Sequence, residues 1–134
     1  MLSKGVKVTI AGSITNFFIG TFYSWSVFAD GLINDLHWSK AEVSLPYTVE
    51  VFMFAIMMFF AGRLQDKIGA AKGVTISGLI TGISFLLCAL YATPLSLTVF
   101  FGVLYGTGAA FGYASATPAA IKWFPPEKRG LVTG

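Results

Sequence analysis

The chain has 134 residues, of which 55% are hydrophobic and 11% charged, with a formal net charge of +3 and a mean hydropathy of +0.75. Soluble domains carry roughly 25% charged residues, so this composition excludes a water-soluble domain, and it is too apolar for intrinsic disorder. The lone cysteine, Cys88, excludes a disulfide scaffold, and the nine Lys and Arg residues are dispersed between apolar blocks rather than gathered into a nucleic-acid-binding patch.

Four apolar runs predict four transmembrane helices: Val8 to Ala29, Val43 to Gly62, Gly73 to Ala92 and Leu97 to Ile121. Crossing a hydrocarbon core takes about 20 apolar residues, and in lipid the backbone must satisfy its own hydrogen bonds, which demands helices. The first run is too long for the h-region of a signal peptide, contains Asn16, Tyr23 and Trp25, and has no small-residue cleavage site after it, so it reads as a retained span. Its polar and small residues Thr9, Ser13, Asn16, Gly20 and Tyr23, with Ser24 at the edge, recur at helical spacing and share a face opposite Ile10, Ile14, Phe18, Phe22 and Trp25. That stripe serves either helix packing or a substrate cavity lined by Asn16, Tyr23 and Ser24.

Trp38 fits an interfacial anchor before span two, and Ser39 with Glu42 forms a capping box that starts it. Glu50 is the one ionisable carboxyl or amine inside a span, roughly 12 Å along it at 1.5 Å per residue. An ionised acid at that depth costs about 2.5–3.5 kcal/mol on insertion scales. Glu50 is therefore a proton-coupling carboxyl, a partner for a cation outside this chain, or a protonated acid bonded to a neighbouring helix. Spans three and four carry Gly78-x-x-x-Gly82, Gly102-x-x-x-Gly106 and Gly108-x-x-x-Gly112, spacings that let helices approach closely. In span four, Gly102 and Gly106 lie on one face and Gly108 and Gly112 on the opposite one. Pro46 and Pro118 fall inside spans, Pro94 suits the first turn of span four, and Pro125-Pro126 stops it.

The N-terminus, the link between spans two and three, and the segment after span four hold eight of the nine positive residues. The positive-inside rule places those three segments in the cytoplasm. The span two–three link reads Gly62-Arg63-Leu64-Gln65-Asp66-Lys67-Ile68-Gly69-Ala70-Ala71-Lys72. It resembles the signature loop of the major facilitator superfamily, with Gly62, Leu64, Asp66, Lys67 and Gly69 in place and Lys72 as a late positive. Gln65, Ile68 and Ala70 depart from the pattern. Gly20 to Phe28, Trp38-Ser39, Ser44-Leu45-Pro46 and Lys122 to Leu131 further resemble the oxalate/formate antiporter and monocarboxylate transporter branch.

The resemblance implies an all-α integral membrane protein, with four helices of the N-terminal six-helix half of a twelve-helix facilitator and a fifth span starting from about residue 131. It implies a secondary active transporter of small organic anions in the cell membrane, working by alternating access without a cofactor or metal. Gly62, Arg63, Asp66, Lys67, Gly69 and Lys72 would form the cytoplasmic gating loop, with Asp66 in a charge and helix-dipole latch between the halves. A small carboxylate in an apolar cavity needs a positive partner, and no Lys or Arg lies inside a span. By the resemblance those basic residues belong to the C-terminal half, the chain's expected partner. This chain would contribute Asn16, Tyr23, Ser24, Trp25, Glu50 and Tyr105 to the cavity. The alternatives are a four-helix proton-coupled exporter acting as a homodimer and a membrane scaffold subunit. With one histidine, no metal-ligand cluster and no nucleophile–base pair, an enzyme is not expected.

Overall fold

The computed structural model describes residues 3–133, except for the side chains of residues 131 and 132. The chain is helical almost throughout: α1 (Lys4–Ile19), a 3₁₀ turn (Gly20–Ser24), α2 (Trp25–Leu36), α3 (Lys40–Ile68), α4 (Ala70–Leu90), α5 (Pro94–Leu97), a π segment (Thr98–Tyr105), α6 (Gly106–Ile121) and α7 (Pro126–Thr133). Among the described residues three helices are long and apolar enough to cross a membrane: Lys40–Ile68, Ala70–Leu90 and Pro94–Ile121.

The element boundaries follow local chemistry. The Ser39 hydroxyl accepts from the Glu42 N–H, while the Glu42 carboxylate accepts from the Ser39 N–H at 2.8 Å, completing the capping box of α3. The Ser39 hydroxyl, which also donates to the Glu42 carboxylate, and the Ser39 N–H together hold that carboxyl below its usual pKa. His37 takes the left-handed conformation after α2, with φ 56°, and the Trp38 N–H closes that turn on the Leu32 carbonyl. Thr93 caps α5 through the Ser96 N–H, with Pro94 in the first turn, where its missing donor is harmless. Pro46 and Pro118 lie within helices as expected. The segment expected to open a fifth span near residue 131 is helical already from Pro126, and Gly134 lies outside the described residues.

Span four is the hub. In its most apolar window 56% of residues are buried, against 17% in each of the other two membrane-capable helices. Its small residues let three neighbours reach its backbone. A Cβ on Gly102 would meet Val49 and the Pro46 carbonyl, and one on Gly106 the Glu50 carbonyl at 2.8 Å, so this face belongs to α3. A Cβ on Gly108 would meet Thr81 and Ile80 of α4, and one on Gly112 would meet Ser77 of α4 and Ile19 of α1. Gly12 of α1 approaches the Ala116 carbonyl from the same direction. Lipid gives apolar helices no hydrophobic reason to associate, so close backbone packing of this kind holds them together. Gly78 and Gly82 depart from the expectation: a Cβ on either meets nothing within 4 Å, because that side of α4 faces a crevice instead of a helix.

The expected unbroken first span, 8–29, is interrupted. At 3.0 residues per turn instead of 3.6, each residue of the 3₁₀ turn advances 120° rather than 100°. Five such residues rotate the downstream helix by about 100°. Phe22 and Trp25, expected opposite the polar stripe, thereby turn onto the packing face beside Ile19, while Tyr23 turns away from it and is 76% exposed.

Candidate functional site

The structure gathers the candidate residues into two regions. The first lies where the two irregular segments meet. The Tyr105 hydroxyl donates to the Ile19 carbonyl at 2.6 Å, at the residue where α1 gives way to the 3₁₀ turn. Trp25 stacks on Phe101 with ring centroids 4.5 Å apart, Phe101 stacks on Tyr105 at 5.0 Å, and Phe85 of α4 closes on Tyr105 at 5.1 Å. The Trp25 Nε1–H donates to the Val43 carbonyl of α3 at 3.1 Å. The π segment turns carbonyls out of the normal ladder, and the buried Ser84 hydroxyl donates to one of them, that of Phe100, at 2.7 Å. The Tyr105 and Ser84 hydroxyls thus serve carbonyls in or beside the segments that depart from the α-helix, the condition for irregular backbone within a membrane, while Trp25 ties the same cluster to the regular helix α3.

Of the six residues expected to line one substrate cavity, only Trp25 and Tyr105 come together, joined through Phe101. Tyr105 is fully buried and bonded, an interior residue rather than an open wall. Glu50 is 1% exposed, with Oε2 unpartnered among the described residues. Asn16 donates weakly to the Thr117 hydroxyl at 3.4 Å and leaves its Oδ1 buried without a partner among the described residues, so its side of the stripe packs on span four. Tyr23 and Ser24 face outward. A cavity of about 610 Å³ lies between α2, α4 and span four, walled by Trp25, Phe28, Phe85 and Phe101, with Asp35 also lining it. Phe101, Ser84 and the Ile19 carbonyl carry this region and were not singled out from sequence. Ser84 and Tyr105, polar groups in otherwise apolar runs, were the available signal.

The second region is the α3–α4 corner. The expected gating loop is not a loop. Gly62, Arg63, Asp66 and Lys67 lie in the last turns of α3, Gly69 alone breaks the helix, and Lys72 is already in α4. Gly69 has φ +88° and ψ 154°, a conformation essentially confined to glycine. Asp66 therefore sits in the C-terminal turn of α3, where the dipole of its own helix disfavours an acid. Lys67 beside it is favourably placed. The Arg63 guanidinium lies 3.8 Å from the centre of the Phe59 ring. Gln65, Asp66, Gly69, Ala70, Lys122 and Trp123 surround a cavity of about 420 Å³. Gly73, in the first turn of α4, admits the buried Ser115 hydroxyl, which has no partner among the described residues. Among the described residues no three His, Cys, Asp or Glu side chains converge as a metal-ligand set.

The comparisons agree with these features. The family model described as Major Facilitator Superfamily matches residues 10–134. The chain is 32% identical over 127 residues to the uncharacterised facilitator-type transporter YhjX of Escherichia coli (strain K12), covering 94% of this chain and 31% of that protein. It is 27% identical over 115 residues to the oxalate:formate antiporter of Oxalobacter formigenes, covering 86% of this chain and 27% of that protein. It is 28% identical over 109 residues to a probable sulfoacetate transporter, SauU, of Cupriavidus necator, covering 81% and 25%. The chain thus spans between a quarter and a third of the length of these relatives. A chain whose described residues are helical, with membrane-capable helices, a glycine-packed hub and a family match over nearly its whole length, belongs to the Major Facilitator Superfamily.

Proposed function

We propose that this chain is part of a secondary active transporter that moves small organic anions of the oxalate, formate or monocarboxylate type by alternating access. The observation that carries the substrate class is that two relatives, similar over 86% and 81% of this chain, are named for oxalate with formate and for sulfoacetate, all of which bear a carboxylate. The four spans contain no Lys or Arg to hold such an anion. Its positive partner therefore belongs to the rest of a longer protein, and this chain supplies the Trp25–Phe101–Tyr105 wall and the α3–α4 corner. The eight positive residues on one set of connecting segments support a cytoplasmic N-terminus and a cytoplasmic corner in the cell membrane.

Ligand-induced thermal stabilisation of the full-length transporter tests the substrate class. A ligand present at 100 times its Kd adds about 2.7 kcal/mol of stability. Oxalate, formate or sulfoacetate should raise Tm, and size-matched amides and amines should not. Stabilisation by the neutral or cationic analogues alone would overturn the anion assignment.

A further inference from the structure

The cavity of about 610 Å³ between α2, α4 and span four is elongated along the helices. From Trp25 to Asp35 its α2 lining extends about 15 Å at 1.5 Å per residue. That is the depth of one leaflet in a hydrocarbon core of about 30 Å. The deep end is a fixed aromatic floor, where Trp25 stacks on Phe101 and Phe85 packs on Tyr105. Small residues hollow the rest: Gly31 on α2, and Ala89 and Ala92 on α4. A Cβ on Gly31 would meet only the Asp35 Oδ2, at 3.9 Å. The Asp35 carboxylate therefore leans over Gly31 at the shallow end, close in sequence to the interfacial Trp38. It is the one charged group among the residues lining the cavity.

The contents of this groove follow from its shape and charge. Water does not fill an apolar hollow, and an empty one forfeits dispersion contacts along its walls. A helix 15 Å long and 10–12 Å across occupies at least about 1,200 Å³, twice the volume here, so it could lie over the groove but not within it. A single hydrocarbon chain fits inside. Lipid tails gain nothing hydrophobic by moving from the bilayer into such a site, so the headgroup decides which lipid enters. A carboxylate at headgroup level selects an ammonium. The segment 30–42 carries three acids against one lysine, and Glu42 is already engaged in its own cap, so Asp35 has no local excess of positive charge to answer.

We propose that this groove binds one amine-bearing phospholipid, with an acyl chain laid between α2, α4 and span four and the headgroup ammonium on the Asp35 carboxylate. The lipid completes the packing of these spans, whatever solute the transporter carries.

The experiment equilibrates the full-length transporter in detergent with equal amounts of palmitoyl-oleoyl phosphatidylethanolamine and phosphatidylglycerol, and counts retained lipids by native mass spectrometry. Wild type should prefer phosphatidylethanolamine by about tenfold or more, the size of one charge-assisted hydrogen bond. Asp35→Asn, at an exposed position, should bind the two lipids alike. Gly31→Leu, which fills the hollow from an open position on α2, should lose one bound lipid of either kind. Equal retention of the two lipids by wild type, or a preference unaltered in Asp35→Asn, would overturn the headgroup assignment. A lipid count unchanged in Gly31→Leu would overturn the groove as the seat. So would a wild type that retains no lipid, the result expected where a helix of a longer protein seals the groove.

Discussion

The hydroxyl of Tyr105 and the carbonyl of Ile19, 2.6 Å apart, join the two places where the transmembrane chain departs from the α-helix. A 3₁₀ turn begins at Gly20 and a π segment ends at Tyr105, and both release backbone groups that lipid cannot satisfy. The bond answers one such group. The aromatic column of Trp25, Phe101 and Tyr105 fixes the two segments side by side.

Tyr105→Phe keeps the ring stack and removes only the donor. The Ile19 carbonyl then stays buried and short of a partner, a loss of about 1–3 kcal/mol. Thermal unfolding of the full-length protein in detergent should register it as a lowered Tm. Phe85→Leu, which trims only one edge of the column, should lower it less. An unchanged Tm in Tyr105→Phe would mean that the bond carries no stability.

The glycines of spans three and four should separate into two classes. Gly106→Ala forces a Cβ to within 2.8 Å of the Glu50 carbonyl, and Gly108→Ala one to within 2.8 Å of Thr81, so both should destabilise by about 1–3 kcal/mol through overpacking. Gly78→Ala and Gly82→Ala meet open space and should be neutral or stabilising, by up to about 1 kcal/mol of helix propensity. Equal losses at all four positions would contradict the packing described.

The α3–α4 corner makes a similar contrast over a few residues. Gly69→Ala places a side chain at φ +88° and should cost about 1–3 kcal/mol. Gly62→Ala, in regular helix with open space around it, should cost nothing. Chemical denaturation of the two variants side by side distinguishes a strained corner from a tolerant linker.

Glu42 gives the α3 cap a pH dependence whose sign is fixed. Its carboxyl is held below the ordinary value of 4.5 by bonds from the Ser39 hydroxyl and N–H. A depressed folded pKa adds stability that is present above the unfolded value and disappears as pH falls through the folded one. Acidifying below about 4.3 should therefore erode the stability difference between wild type and Glu42→Gln. A difference that grows on acidification would contradict the capping box.

Much of this was legible in the sequence because it rests on local chemistry. The Ser39–Glu42 cap, the placement of Pro94 and the opposed glycine faces of span four derive from spacing that the structure preserves. The face of Trp25 was not legible, because a 3.6-residue period was carried through Gly20 to Ser24, where the backbone tightens. The helical character of the expected gating loop was not legible for a related reason: the charged run 62–68 continues α3 without a break, and one glycine makes the turn. The π segment left no periodic trace among the uniformly apolar residues from Thr98 to Tyr105, so Phe101 and Ser84 emerged only in three dimensions.

Movement of small organic anions by a facilitator of which this chain is part is decided by counterflow. Proteoliposomes holding the full-length transporter are loaded with unlabelled oxalate or formate and given a trace of the labelled anion outside. Saturable uptake, accelerated by anion inside and abolished without it, is the result expected. Absence of such trans-stimulation for every small carboxylate tested, with saturable uptake of a neutral or cationic solute instead, would contradict it.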